Sequence, residues 1–322
     1  MLRDRVSARN SFLGFVLTFS VVVVALLVWA LYANWAGILL IAGLVATWIA
    51  GSIMSRPQSS AVPAPAPPGR IVHLLASDGV PITGSYWPGA RPDAPAILLL
   101  HGVDSSRASL IRHALWLNGL GYGVLAIDFR GHGESGAAAR TFGLNEALDA
   151  AAALAFLRAG APGRRVGLIG TSLGGAAALL GDDGPLPVQA MVLQAVYPDL
   201  RDAIYNRIAQ RIGSALAMLG EPLLSYQSWL RYGVPPGRLA PLDAIRRYPG
   251  PVLIIGGGAD LSTPSVKTRA LYDAAPGPKA LWLLDGVGHV GTGSVWTDEY
   301  RRRVRALFAR SLGEPGSAGA RP

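Results

Sequence analysis

The chain opens with a hydrophobic block in which no charged residue occurs between Arg9 and Arg56. A helix needs about 20 apolar residues to cross the hydrocarbon of a bilayer, so the block predicts two spans, 12–33 and 35–54, turning at Asn34. Trp29, Tyr32 and Trp35 surround that turn and Trp48 lies near the other end, where amphipathic rings favour a membrane interface. A cleaved signal peptide needs an apolar run of roughly 7 to 15 residues and a small-residue cleavage site, and the block matches neither. Residues 1–54 therefore read as a membrane anchor. Arg3, Arg5 and Arg9 hold the N-terminus on the cytoplasmic side, and two crossings return the remainder there. With a single crossing the orientation of everything downstream inverts.

Periodicity stops between residues 55 and 69. Prolines at 57, 63, 65, 67 and 68 favour extended polyproline II, which predicts a semi-rigid spacer holding the next domain off the bilayer. From 70 to 312, β-like apolar runs alternate with helical patterns, the signature of a mostly parallel sheet flanked by crossover helices. "RIVHLLAS" and "PITGSYW", joined at Asp78-Gly79, read as an opening antiparallel hairpin. Strands "AILLLH", "GVLAID", "RVGLIG", "QAMVLQ", "PVLIIGG" and "ALWLLD" follow. Helices are predicted over 106–120, 144–159, from 172 or 173, over 265–274 and over 297–312. Between Ala195 and Arg247 the alternation breaks into amphipathic helical stretches, which read as an inserted cap. Its Leu216, Met218, Leu219, Leu223, Leu224 and Trp229 either line an acyl pocket or pack the cap onto the sheet. Residues 313–322 read as a disordered tail.

Composition agrees with an apolar excess beyond one soluble core: 322 residues, 51% hydrophobic and 15% charged. The net charge of +9 includes Arg301, Arg302, Arg303, Arg305 and Arg310 in one C-terminal helical stretch, either a solvated face or an attraction for anionic lipid. No nucleic-acid motif accompanies the charge. There are no cysteines, which excludes disulfides, thiolate catalysis and Cys-based metal sites. His, Asp and Glu do not fall at metal-ligand spacing, and no phosphate-binding glycine loop carries the Lys-Ser/Thr signature. No cofactor is indicated.

The chemistry concentrates at "VGLIGTSLGG". A nucleophilic hydroxyl must project clear of the backbone, and a strand breaking sharply into a helix exposes its corner residue. Such a corner forces strained dihedrals and nearly side-chain-free neighbours, hence Gly170-Thr171-Ser172-Leu173-Gly174. Asp260 in "GGGADLSTP" and His289 in "DGVGHVG" follow later strands, completing the order Ser, Asp, His. In an open α/β sheet, groups after the carboxyl ends of strands converge on one crevice. His289 would take the proton of Ser172, and Asp260 would fix the tautomer of the imidazole and stabilise its cation.

Together with "LLLHG" and "AIDFRGHGES", these motifs resemble the α/β-hydrolase superfamily over residues 70–312. The resemblance implies that His101-Gly102 ends the strand before an oxyanion loop, with the backbone N–H groups of Val103 and Leu173 as donors. His101 and His132 are then structural. An anchored N-terminus before such a domain also resembles ABHD-type and related bacterial hydrolases, and with the arginine-bearing N-terminus the chain reads as a bacterial inner-membrane protein with a cytoplasmic catalytic domain. Among rivals, Asp199 in "YPDLRD" reads more easily as the N-cap of a cap helix, and Asp285 as a loop residue. His73 and His113 fall in β-like and helical segments. The chain thus reads as a membrane-anchored serine hydrolase acting on an ester or thioester, small or lipid-like, through an acyl-enzyme. Two alternatives stay open: a serine peptidase of the prolyl-oligopeptidase type, and a binding module with a vestigial triad.

Overall fold

The computed structural model describes residues 19–29, 35–289 and 296–316. The chain divides into two compact units, Met1–Ile53 and Met54–Pro322.

In the first unit, α1 (Phe19–Trp29) and α2 (Trp35–Met54) are apolar helices. Within α2 the 18 residues Gly37–Met54 have a mean hydropathy of 2.1, and among the described residues this is the one helix long and apolar enough to cross a membrane. At 1.5 Å per residue a 20-residue helix is about 30 Å long, the hydrocarbon thickness. Of the first predicted span, 12–33, only residues 19–29 are described. Its start, the Asn34 turn, the three N-terminal arginines and the end of the tail lie outside the described residues.

The second unit is built on an eight-stranded sheet. Its strands are β2 (Arg70–Leu75), β3 (Pro81–Trp87), β4 (Ala96–Leu100), β5 (Gly123–Ile127), β7 (Val166–Thr171), β8 (Ala190–Gln194), β9 (Val252–Gly257) and β10 (Lys279–Leu284). They lie in the order β10-β9-β8-β7-β4-β5-β3-β2. β2 and β3 form an antiparallel hairpin and β3 runs antiparallel to β5, while every pair from β5 to β10 is parallel.

Strand alternation sends side chains to two cores. Ala96, Leu98 and Leu100 of β4 pack with Leu157 of α4 (Glu146–Ala159) and Ala177 of α5 (Leu173–Leu179). Ile97 and Leu99 face Ala114 of α3 (Ile111–Gly119) and Phe308 of α10 (Asp298–Leu312). Burying both faces of a parallel sheet explains the nearly unbroken apolar runs in the sequence. β4 pairs with β5 on one side and β7 on the other, so the chain reverses direction across the sheet there. The crevice at the carboxyl ends of β4 and β7 is a topological switch point, where open α/β sheets place their ligands.

Residues 195–247 hold α6 (Leu200–Ile212), α7 (Ser214–Ser225), α8 (Gln227–Tyr232), α9 (Pro241–Ala244) and two 3-10 turns. Leu224 packs on a small core of Leu200, Ile204 and Leu239. Leu216, Met218, Leu219, Leu223 and Trp229 instead point to the surface, Met218 and Leu219 with 69% of their area exposed. Packing the cap onto the sheet therefore does not account for these five.

The proline-rich segment differs from a free spacer. β1 (Gln58–Ser59) pairs in parallel with β6 (His132–Gly133). Gln58 N donates to Gly131 O at 2.7 Å, Ser60 N donates to Gly133 O at 2.8 Å, and Val62 is buried. Arg140 N donates to Ser55 O at 3.0 Å and Arg140 Nη2 to Met54 O at 2.7 Å. Extended backbone has unpaired N–H and C=O groups at every residue. Here the edge of another segment satisfies them, so the strap lies on the domain from Met54 onward.

Candidate active site

Ser172 stands at the corner between β7 and α5 with φ 49° and ψ −110°, a left-handed conformation that side chains rarely adopt. Two hydrogen bonds and two close backbone approaches enforce it. Ser172 N donates to Gln194 O at 2.8 Å, and Ser172 O accepts from Ala176 N at 3.0 Å. A Cβ at Gly174 would come within 2.3 Å of Leu100 O, and one at Gly170 within 2.7 Å of Gly175 N. The corner closes only without side chains at both positions. The side chain of Ser172 does not cap α5.

The β4 loop reaches the same corner. A Cβ at Gly102 would lie 3.7 Å from the Cβ of Ser172, so the Gly102–Val103 peptide borders the serine. His101 holds that peptide from behind: its Nδ1 lies 2.7 Å from Gly102 O, and its Nε2 accepts from Phe129 N at 3.1 Å. One nitrogen must accept, so the proton sits on Nδ1. Burial, with His132 nearby, pushes the pKa of His101 down to about 3, which keeps the ring neutral. Val103 is half-buried against the core.

Asp260, in the loop after β9, has a fully buried side chain. Its Oδ1 accepts from Ser262 N and Thr263 N, both at 2.8 Å, and its Oδ2 lies 2.8 Å from His289 Nδ1. A carboxylate so held makes Nδ1 the donor and leaves Nε2 of His289 as the basic nitrogen. The two loops touch: Ala259 N donates to Val287 O at 2.9 Å, and a Cβ at Gly257 would fall 2.0 Å from Gly288 O. His289 is about one-third exposed (35%), whereas Asp260 is closed off, so the pair has one dry end and one accessible end.

Other predicted residues sit elsewhere. Asp199 N-caps α6, its Oδ1 accepting from Asp202 N at 2.8 Å, and burial raises its pKa. Asp285 and His73 are exposed. His132 is buried, with Nδ1 3.0 Å from Arg130 O. His113 is buried between Trp296 and Tyr300. Among the described residues no three His, Asp or Glu gather to hold a metal ion. Sequence reasoning missed Arg140, which joins the β4 loop at Asp104. An arginine in the loop "GAAARTFG" carries no local signal.

A profile described as "Alpha/beta hydrolase family" matches residues 97–307. The chain belongs to the alpha/beta hydrolase family. An uncharacterised protein of Mycobacterium tuberculosis is 30% identical over 243 residues, covering 73% of this chain and 79% of that protein. The uncharacterised YqkD of Bacillus subtilis is 28% identical, covering 68% and 73%. Among solved structures, the Pyrococcus furiosus esterase Pf2001 has a TM-score of 0.65 and 25% identity, covering 81% of this chain and 99% of that one. An esterase from Exiguobacterium antarcticum shares the fold, with a TM-score of 0.53, 18% identity, and coverage of 74% and 98%. In this alpha/beta hydrolase the Ser172 corner, the Gly102 loop, the Asp260 loop and the His289 loop all follow the carboxyl ends of sheet strands.

Proposed function

We propose that this chain is a serine hydrolase that cleaves a carboxylic ester or thioester through an acyl-enzyme. The observation that carries the reading is the pairing of His289 Nδ1 with a buried, doubly held Asp260 carboxylate in a fold whose strained corner residue is Ser172. Ser172 Oγ attacks the acyl carbonyl and passes its proton to His289 Nε2. The N–H groups of Val103 and Leu173 stabilise the resulting oxyanion, and His289 then protonates the leaving alcohol or thiol. Water repeats the sequence on the acyl-enzyme. The esterase likeness of Pf2001 supports an ester over a peptide.

The apolar α2 and the exposed apolar residues of the cap support attachment to a membrane and an acyl ester from its surface as substrate. The arginines before the first apolar block support a cytoplasmic face. A cysteine at the exposed Ser60, in a chain with no other cysteine, resists impermeant thiol reagents in intact cells under this reading and reacts under the opposite topology.

Fluorophosphonate labelling tests the chemistry. The wild-type chain labels, and Ser172→Ala does not label and loses ester turnover by several orders of magnitude. Equal labelling of both overturns the assignment. Nitrophenyl esters run beside chromogenic peptides separate esterase from peptidase.

A further inference from the structure

Arg140 is almost fully buried, yet it belongs to a loop far in sequence from the groups it binds. Its main chain and guanidinium make three connections. The N–H donates to Ser55 O at 3.0 Å, Nη2 donates to Met54 O at 2.7 Å, and Nη1 pairs with Asp104 Oδ1. The first two hold the start of the strap. The third reaches the β4 loop one residue beyond Val103.

Asp104 has φ 55°, a left-handed conformation uncommon outside glycine, although aspartate is among the side chains that adopt it. Its side chain is 62% exposed, so packing does not fix it. Its carboxylate is paired instead with the Arg140 guanidinium. The loop is thus gripped on both sides of one peptide: His101 binds the carbonyl of Gly102 at 2.7 Å, and Arg140 binds the carboxylate of Asp104. The N–H of Val103 shares the Gly102–Val103 peptide plane and points opposite to that carbonyl. Rotation of this plane would move the donor away from the oxyanion.

We propose that Arg140 is a positioning residue for the oxyanion loop, acting through Asp104, and that the strap from Met54 to Val62 belongs to the support of the active site. The inference rests on the assignment of Val103 as an oxyanion donor. A planar guanidinium offers donors in fixed directions, which suits one side chain to bridge a carboxylate and a carbonyl. The strap supplies the fixed end of that bridge. It is itself held by the β1–β6 pairing and by Val62 N on Glu134 Oε1 at 3.3 Å.

The test uses the full chain in detergent, a short nitrophenyl ester, and the variants Arg140→Ala, Asp104→Gly and their double. Glycine adopts the positive φ without strain, so Asp104→Gly removes the carboxylate and leaves the strap bonds of Arg140 in place. Each single variant lowers kcat by roughly tenfold or more, the scale expected when a reacting group is misplaced, with KM within about twofold. The double variant is no worse than the weaker single, because the two residues form one unit. A wild-type kcat in Asp104→Gly, or losses that add fully in the double variant, overturns the inference. If Arg140→Ala fails to fold, Asp104→Gly alone decides. Fluorophosphonate labelling of the same preparations separates the two levels. Wild-type labelling lost in Ser172→Ala with unchanged kcat in Asp104→Gly refutes the positioning role alone, and absence of wild-type labelling refutes both.

Discussion

Asp260 presents its two oxygens to different partners: Oδ2 faces His289 Nδ1 at 2.8 Å, and Oδ1 is held by the N–H groups of Ser262 and Thr263. The carboxylate cannot turn away from the imidazole without breaking its hydrogen bonds from two backbone donors. Its orientation is a property of the loop after β9, independent of any substrate.

That division of labour predicts the effect of two isosteric changes. Asp260→Asn keeps the size but replaces an acceptor with an amide, which favours the wrong tautomer of His289, so kcat falls by roughly 10³- to 10⁴-fold. Asp199→Asn leaves kcat within about threefold, because Asp199 serves as an N-cap and asparagine caps as well as aspartate. Steady-state kinetics of both variants provide the comparison. Equal losses, or the reverse order, would move the acid to the loop after β8.

His113 gives a prediction for stability against pH. Its ring packs edge-on to Trp296 and Tyr300, with centroids 4.7 and 5.4 Å away, and neither nitrogen has a hydrogen-bond partner among the described residues. Burial, with a smaller effect of Arg112, pushes its pKa down to about 4 from an ordinary value of 6.5. Between those values the unfolded chain binds a proton here that the folded chain does not. This residue therefore costs no stability above the unfolded pKa, and stability is lost as the pH falls toward the folded one. From about pH 7.5 to about pH 5 the loss is about 2 kcal/mol. His113→Phe keeps the ring contacts and removes that loss. His101 titrates in the same direction in both proteins, so the difference between them isolates His113. Urea unfolding at the two pH values checks it, and an equal shift at both would show that His113 does not carry this linkage.

The strand ends that carry the candidate site were legible because parallel strands buried on both faces read as short apolar runs, and each run gives way to a polar residue or glycine, His101, Ser172, Gly258 and Asp285. Leu100, Thr171, Gly257 and Leu284 mark those ends. The capping role of Asp199 was legible from its place before an amphipathic stretch. The strap was not. Prolines over 57–68 favour extension whether or not anything lies alongside, and the pairing is decided by backbone groups of Gly131 and Gly133 and by Arg140. Such partners, more than 70 residues away in the case of Glu134 and Val62, leave no trace in local composition. The cap's outward face escaped for a different reason. α7 buries Ala217, Glu221 and Ser225 and turns Leu216, Met218, Leu219 and Leu223 outward, the reverse of the rule by which the apolar face of an amphipathic helix meets the core.

That outward face gives the last prediction. Met218 and Trp229 are 69% and 57% exposed, so each has little packing to lose when shortened. Met218→Ala and Trp229→Ala therefore change stability by no more than about 0.5 kcal/mol, as surface substitutions do. Exposed apolar side chains gathered on α7 and α8 carry a standing solvation cost, which contact with an acyl chain or bilayer surface removes. In a cap that meets the acyl group, the two variants shift the preference among nitrophenyl esters toward shorter chains, with kcat/KM for acetate nearly unchanged and that for decanoate reduced several-fold. The acetate arm reports on the proposed chemistry of Ser172, Asp260 and His289 and the decanoate arm on the cap. A fall in both together places the two side chains in support of the site. Wild-type values in both arms show that this face of the cap does not contact the acyl chain.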